Sequence, residues 1–281
     1  MNNTVVRVIV GAIGIPLIII SAMLGNEIFL AFCVVMAFFC MNEFYNLFEQ
    51  PHHPPGELTR WFGGISIHKT VFLIISTLVV VCFYYERFNY AIILYFVMFV
   101  FLIVSEVFKE EKHFEAVGTW LLSVVYISTP FGLLSLMDSS RMLAFNGANY
   151  AIICLVLVWV SDTFAFFGGK LFGKHKLAER ISPKKTWEGS IAGFLFTMLS
   201  GVVIWMFIYP DFTIWHWLSV TVIIGFFAQI GDLFESNLKR SVKVKDSSNL
   251  IPGHGGALDR FDSILFAVPA LYIFLYLKST M

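Results

Sequence analysis

Phe88-Asn-Tyr-Ala-Ile-Ile-Leu-Tyr-Phe-Val-Met-Phe-Val-Phe-Leu-Ile-Val-Ser-Glu-Val-Phe108 reads as a helix built for lipid. A helix needs about 20 apolar residues to cross the hydrocarbon core, and this stretch carries a lone charge, Glu106, near its end. It is apolar on every side, so it has no face for water. Only Tyr85-Glu86-Arg87 divides it from another apolar run at 69–85, which predicts a tight helical hairpin. The same reading carried outward finds runs at 5–24, 27–47, 116–137, 149–168, 189–209, 214–235 and 263–278, about nine in all. The predicted fold is all-α, a polytopic transmembrane helical bundle of about nine spans. It forms a single integral membrane domain over 1–281, with N-terminal spans in 1–140 and the catalytic spans and loops in 149–281.

Composition agrees. Hydrophobic residues make up 58%, charged residues 14%, and mean hydropathy is +0.79. A soluble domain carries about 25% charged residues, so this chain could not cover a water-facing surface. Nineteen basic residues balance nineteen acidic ones, which argues against a nucleic-acid binder, since these are basic overall. Cys33, Cys40, Cys82 and Cys154 lie in apolar runs without metal-ligand spacing and read as small packing residues. The run at 5–24 suits a span better than a signal-peptide core.

The balanced charge hides a local asymmetry. With nine spans, one side holds Arg7, Arg60, Lys69, Lys109, Lys112, Lys170, Lys174, Lys176, Arg180, Lys184, Lys185, Lys239, Arg240, Lys243, Lys245 and Arg260. The other holds Arg87, Arg141 and Lys278. Basic loops stay cytoplasmic, so the N-terminus is expected inside and the C-terminus outside. Trp61, in the proline-bearing stretch with Pro51, Pro54 and Pro55, suits the headgroup level. The short tails lean toward a bacterial inner membrane.

Two segments on the basic side are richer than topology requires. Ser161-Asp-Thr-Phe-Ala-Phe-Phe-Gly-Gly-Lys170 leads on to Ile181-Ser-Pro-Lys-Lys-Thr-Trp-Glu-Gly189. Gly231-Asp-Leu-Phe-Glu-Ser-Asn-Leu-Lys-Arg240 leads through Lys245-Asp246 to Pro252-Gly-His-Gly-Gly-Ala-Leu-Asp-Arg-Phe-Asp262. Cations in a glycine-rich setting suit phosphate. Carboxylates among them would repel phosphate unless a divalent metal lay between, and Mg²⁺ is typically held by one or two carboxylates plus substrate phosphates. Asp232 and Glu235 are three apart, as are Asp259 and Asp262, so each pair shares a helix face. Asp162 lies inside a span, where an ionisable group is costly and functional by default. We expect it near the metal or phosphate. Ser182-Pro183 followed by Thr186 and Glu188 resembles a capped helix start, an anion site beside Lys184 and Lys185.

Each feature has a plainer reading. Asp259 and Asp262 would favour the dipole of a helix's first turn. Glu235 would pair with Lys239 four residues on. Lys184 and Lys185 would anchor topology, Asp162 would be a charge paired inside the bundle, and His254 would be a loop histidine without a role.

The second segment resembles the phosphatidate cytidylyltransferases (CDP-diacylglycerol synthases). The resemblance is carried by Ser236-Asn-Leu-Lys-Arg240, Lys245-Asp246, Pro252-Gly-His-Gly-Gly256 and Asp259-Arg-Phe-Asp262 at matching spacing. Ala257 stands where the family usually has a larger aliphatic residue. Ser161-Asp-Thr163, Gly168, Gly173-Lys174 and the Ile181–Gly189 run extend the likeness over about the last 120 residues. It implies that a phosphatidate oxygen attacks the α-phosphorus of CTP, giving CDP-diacylglycerol and pyrophosphate with Mg²⁺ as cofactor. By position it implies Asp232, Asp259 and Asp262 as metal acids, and Lys239, Arg240, Lys245 and Arg260 as phosphate holders. Ser182, Lys184, Lys185, Thr186, Glu188, Ser236, His254, Gly255 and Gly256 would bind substrate. Expected partners are CTP, the lipid phosphatidate and the bilayer, with no nucleic acid and with a second copy of the chain as a candidate (a homodimer). The alternatives are a CTP-dependent lipid kinase, a cytidylyltransferase for another lipid phosphate, or a transporter. The concentration of charge at one face disfavours transport.

Overall fold

A computed structural model describes residues 3–48, 67–108, 114–138 and 148–280. Pro51, Pro54, Pro55, Arg60, Trp61, Lys109, Lys112 and Arg141, all used in the topology argument, lie outside the described residues. The helices are α1 (Asn3–Leu24), α2 (Asn26–Phe48), α3 (Ile67–Tyr84), α4 (Phe88–Val107), α5 (Phe114–Ser123), α6 (Thr129–Leu136), α7 (Tyr150–Phe172), α8 (Trp187–Phe207), α9 (Ile214–Ser241) and α10 (Leu258–Thr280). A π-helical turn, Val124–Ser128, joins α5 to α6. The described helices therefore follow the nine apolar runs. Among the described residues, seven helical stretches are long and apolar enough to cross a membrane, and the apolar parts of α1 and α3 are shorter. Exposed apolar side chains such as Ile92 and Phe96 on α4 and Leu195 and Leu199 on α8 fit a lipid surround. The chain is an integral membrane protein of polytopic helical fold.

The breaks follow local chemistry. Glu86 adopts φ 54°, the left-handed conformation that commonly ends a helix. Arg87 N–H then donates to Cys82 O at 2.8 Å, closing the expected hairpin between α3 and α4. Gly25 and Asn26, at φ 62° and 51°, separate α1 from α2 in the same way.

The chain forms two compact units, one of Met1–Leu136 with Ser247–Leu258, the other of Met137–Asp246 with Asp259–Met281. In the first, Trp120 stacks on Tyr45 at 4.7 Å between ring centroids and meets Phe72 edge-on at 5.3 Å. This aromatic core ties α2, α3 and α5 together. In the second, small residues let the backbones of α7 and α8 approach closely. A Cβ on Gly193 would stand 2.6 Å from Ser161 O, and one on Gly189 2.6 Å from Ala165 O. Gly168 faces Ala192 and Gly189. The Gly168-Gly169 pair, expected to let backbone amides approach phosphate, is helical, and its close neighbours are α8 and Thr186. Ser190 and Gln229 bond reciprocally between α8 and α9.

Two short strands depart from an all-helical pattern. β1 (Lys176–Ala178) pairs antiparallel with β2 (Ser182–Thr186). This corrects the expected capped start at Ser182-Pro183, because those residues are extended. Thr186 is the cap of α8, its Oγ1 accepting from Gly189 N–H at 3.2 Å. The third helical position is then Gly189, which has no side chain to complete a capping box.

Candidate active site

Four elements of the second unit bring the polar residues together. α9 carries Asp232, Glu235, Ser236, Lys239 and Arg240 at the spacing of one helix face. The first turns of α10 carry Asp259, Arg260 and Asp262, β2 carries Lys184 and Lys185, and α7 carries Asp162. Gly231 sets the approach of α9 to α10, since a Cβ there would lie 2.6 Å from Asp262 O and 3.1 Å from Ser263 Cα.

Two ion-pair systems result. Lys185 Nζ stands 2.5 Å from Asp232 Oδ2, with both side chains partly exposed. Lys239 Nζ stands 2.5 Å from both Glu235 Oε2 and Asp259 Oδ1. Their side chains are 11%, 0% and 5% exposed, so this ammonium is a buried bridge between two carboxylates. Asp232, Glu235 and Asp162 all act electrostatically on Asp262. Asp162 feels Asp232, Lys185 and Arg260. Ser263 N–H donates to Asp262 Oδ1 at 2.7 Å, and Ser236 Oγ donates to Asp232 Oδ1 at 3.5 Å.

The donor set is rich in hard oxygen, as Mg²⁺ prefers. Asp162 and Asp262 have no direct cationic partner among the described residues, and Glu235 Oε1 is buried without a hydrogen bond. Among the described residues no three His, Cys, Asp or Glu side chains are gathered as an all-protein metal site. An ion held by one or two carboxylates and completed by phosphate fits that arrangement.

The expected phosphate holders divide. Lys184, Lys245 and Arg260 are exposed and form no ion pair or hydrogen bond with another described residue. Arg240 is engaged, with Nε donating to Ile181 O at 3.3 Å and a terminal nitrogen to Val244 O at 2.7 Å. Glu188 is engaged too. It accepts from the backbone N–H of Lys174 and His175 and lies 2.6 Å from His175 Nδ1. Ser182 is half-buried on β2. Beside the hairpin lies an open groove of about 750 Å³, lined by Lys174, His175, Lys176, Trp187, Glu188 and Ile191.

A cytidylyltransferase family model matches residues 5–278. The chain belongs to the cytidylyltransferase family. Among similar curated proteins is the phosphatidate cytidylyltransferase of Staphylococcus haemolyticus (strain JCSC1435), 40% identical over 177 residues, 63% of this chain and 66% of that one. That of Staphylococcus saprophyticus subsp. saprophyticus is 37% identical over the same shares. That of Staphylococcus epidermidis (strain ATCC 35984) is 41% identical over 167 residues, 59% of this chain and 62% of that one. Each match spans just under two thirds of the relative's length.

In this cytidylyltransferase-family chain, His254, Gly255 and Gly256 belong to the first unit, on a turn closed by His254 N–H donating to Ile251 O at 2.9 Å. Gly253 and Gly255 sit at φ 74° and 83°, where only glycine is unstrained. His254 Nδ1 is buried and without a partner in the described residues. Sequence reasoning missed what holds this turn, the carboxylate of Glu43 on α2. A signal existed, for Glu43 is an acid deep inside the apolar run 27–47, whose other acid, Glu27, stands at its very start, and it is open to the same argument that singled out Asp162.

Proposed function

We propose that this protein transfers the cytidylyl group of CTP to phosphatidate, giving CDP-diacylglycerol and pyrophosphate. The observation that carries the reading is that Asp162, Asp232 and Asp262 lie within electrostatic reach of one another in one unit of a membrane protein, with Lys185 paired to Asp232 and Arg260 acting on Asp162. The names of the similar staphylococcal proteins support the choice of substrates.

The chemistry needs little from the protein by way of a base, because the attacking phosphate is already ionised. The difficulty is bringing two anions together and stabilising the leaving pyrophosphate. Arg260 and Lys184, which make no hydrogen bond or close ion pair with another described residue, take phosphate oxygens, and exposed Lys245 takes those nearest water. Lys185 holds Asp232 in place until phosphate competes for its ammonium. Lys239 fixes Asp259 and Glu235 and orients the first turn of α10. One or two of Asp162, Asp232 and Asp262, completed by substrate phosphate, would hold Mg²⁺, which would supply charge neutralisation on the phosphates when bound. Trp187 and Ile191 line the same groove as Lys174 and Lys176 and pair apolar surface with positive charge, which suits the head of an anionic lipid. By the bias of basic residues the site lies on the cytoplasmic side of the membrane, and the staphylococcal sources of the similar proteins support a bacterial cell (inner) membrane.

The test is product analysis on purified protein supplied with CTP, a phosphatidate and Mg²⁺. CDP-diacylglycerol and pyrophosphate in equal amounts, both lost on chelation, are expected. CDP with a phosphorylated lipid would indicate a kinase instead.

A further inference from the structure

We infer that Glu43 is a positioning residue, its carboxylate holding the segment Ser247–Leu258 and thereby fixing the start of the helix that carries Asp259, Arg260 and Asp262. Glu43 is 2% exposed, among the buried apolar side chains of α2. Both of its oxygens are used. Oε2 accepts from Ser247 Oγ at 2.8 Å and from Leu258 N–H at 2.9 Å. Oε1 accepts from Ser248 Oγ at 2.7 Å and from Ala257 N–H at 2.8 Å. Four donors are what an ionised carboxylate can accept, and such charge-assisted bonds are stronger than neutral ones.

The two backbone donors explain the arrangement. Leu258 opens α10, and the first amides of any helix lack partners within it. A Ser, Thr, Asp or Asn before the helix ordinarily supplies an acceptor to its second or third amide, but Ala257 stands there and cannot. Glu43 instead accepts from the two preceding amides, of Ala257 and Leu258, 214 and 215 residues away in sequence. A negative group at this end also favours the helix dipole. The same contact gives Gly256 its reason, since any Cβ there would run into Glu43 Oε2 and Ser247 Oγ. A lone buried acid is costly to keep in an apolar helix. What it secures is Leu258, the first residue of the helix on which Asp259, Arg260 and Asp262 follow.

The kinetic part of the test rests on the proposed reaction, and the exchange part does not. Glu43→Gln is nearly isosteric but turns an acceptor into an amino group facing donors. Amide hydrogen exchange at Ala257 and Leu258, measured by mass spectrometry in detergent, is expected to be slow in the wild type and at least tenfold faster in the variant. Turnover of the folded variant is expected to fall in kcat by about a hundredfold, with KM for CTP changing much less. Glu43→Asp should recover part of the loss because it keeps the charge. Should Glu43→Gln fail to fold, the Ser247→Ala/Ser248→Ala pair leaves the charge with its backbone donors and should give smaller changes in the same directions. Unchanged exchange at Ala257 and Leu258, or unchanged kcat despite faster exchange, would overturn the inference. A wild type that binds neither CTP nor phosphatidate would sink the proposed reaction, while exchange would still decide whether Glu43 holds the segment.

Discussion

Arg240 and Arg260 look equivalent in sequence, two arginines in signature segments, and the structure separates them. Arg260 has no ion pair or hydrogen bond to another described residue, whereas Arg240 ties the end of α9 to Ile181 O and Val244 O. Arg260→Ala should therefore lower kcat/KM by about a hundredfold, roughly 2.7 kcal/mol of transition-state stabilisation, with the melting temperature unchanged. Arg240→Ala should lower the melting temperature first. Lys239 makes a further distinction. It bridges Glu235 and Asp259 in a nearly closed site, and removing one partner of a buried pair costs about 3–5 kcal/mol. Lys239→Ala should lose that much stability in thermal unfolding, and adding Glu235→Gln should recover part of it. The pairing of Glu235 with Lys239 was legible from its four-residue spacing, but Asp259 on Lys239 and Ile181 O on Arg240 were not, because they lie far away in sequence.

Close approach of helices places the acids. Gly231 allows α9 to lie against α10, so Gly231→Ala forces a shift beside Asp232 and Asp262. Overpacking of this kind costs about 1–3 kcal/mol, and the variant should lose turnover beyond its loss of stability. Hydrophobic runs fixed the helices well, since a 20-residue apolar segment has few alternatives in lipid. The hairpin at Glu86-Arg87 was equally legible. The β1–β2 pair was not, because Lys176–Ala178 is too short to show any period. The Gly168-Gly169 pair counted toward a glycine-rich setting for phosphate because glycine serves close helix packing and close anion approach alike. Glu43 escaped because its donors, Ala257 and Leu258, are visible only once the chain is folded.

At the scale of the whole chain, the expected orientation can be checked by accessibility. A cysteine replacing Asp246, which is exposed, should react with a membrane-impermeant maleimide only from the cytoplasmic side. One replacing Ser279, exposed near the end of α10, should react only from the other side. Reversed labelling would contradict the orientation drawn from the basic residues. The central claim is the transfer of a cytidylyl group to a lipid phosphate. CTP radiolabelled at the α-phosphorus, incubated with protein, phosphatidate and Mg²⁺, tests it most directly. The account predicts label in the lipid fraction, with a γ-phosphorus label appearing in pyrophosphate. Label from the γ-phosphorus in the lipid, with none from the α-phosphorus, would contradict it.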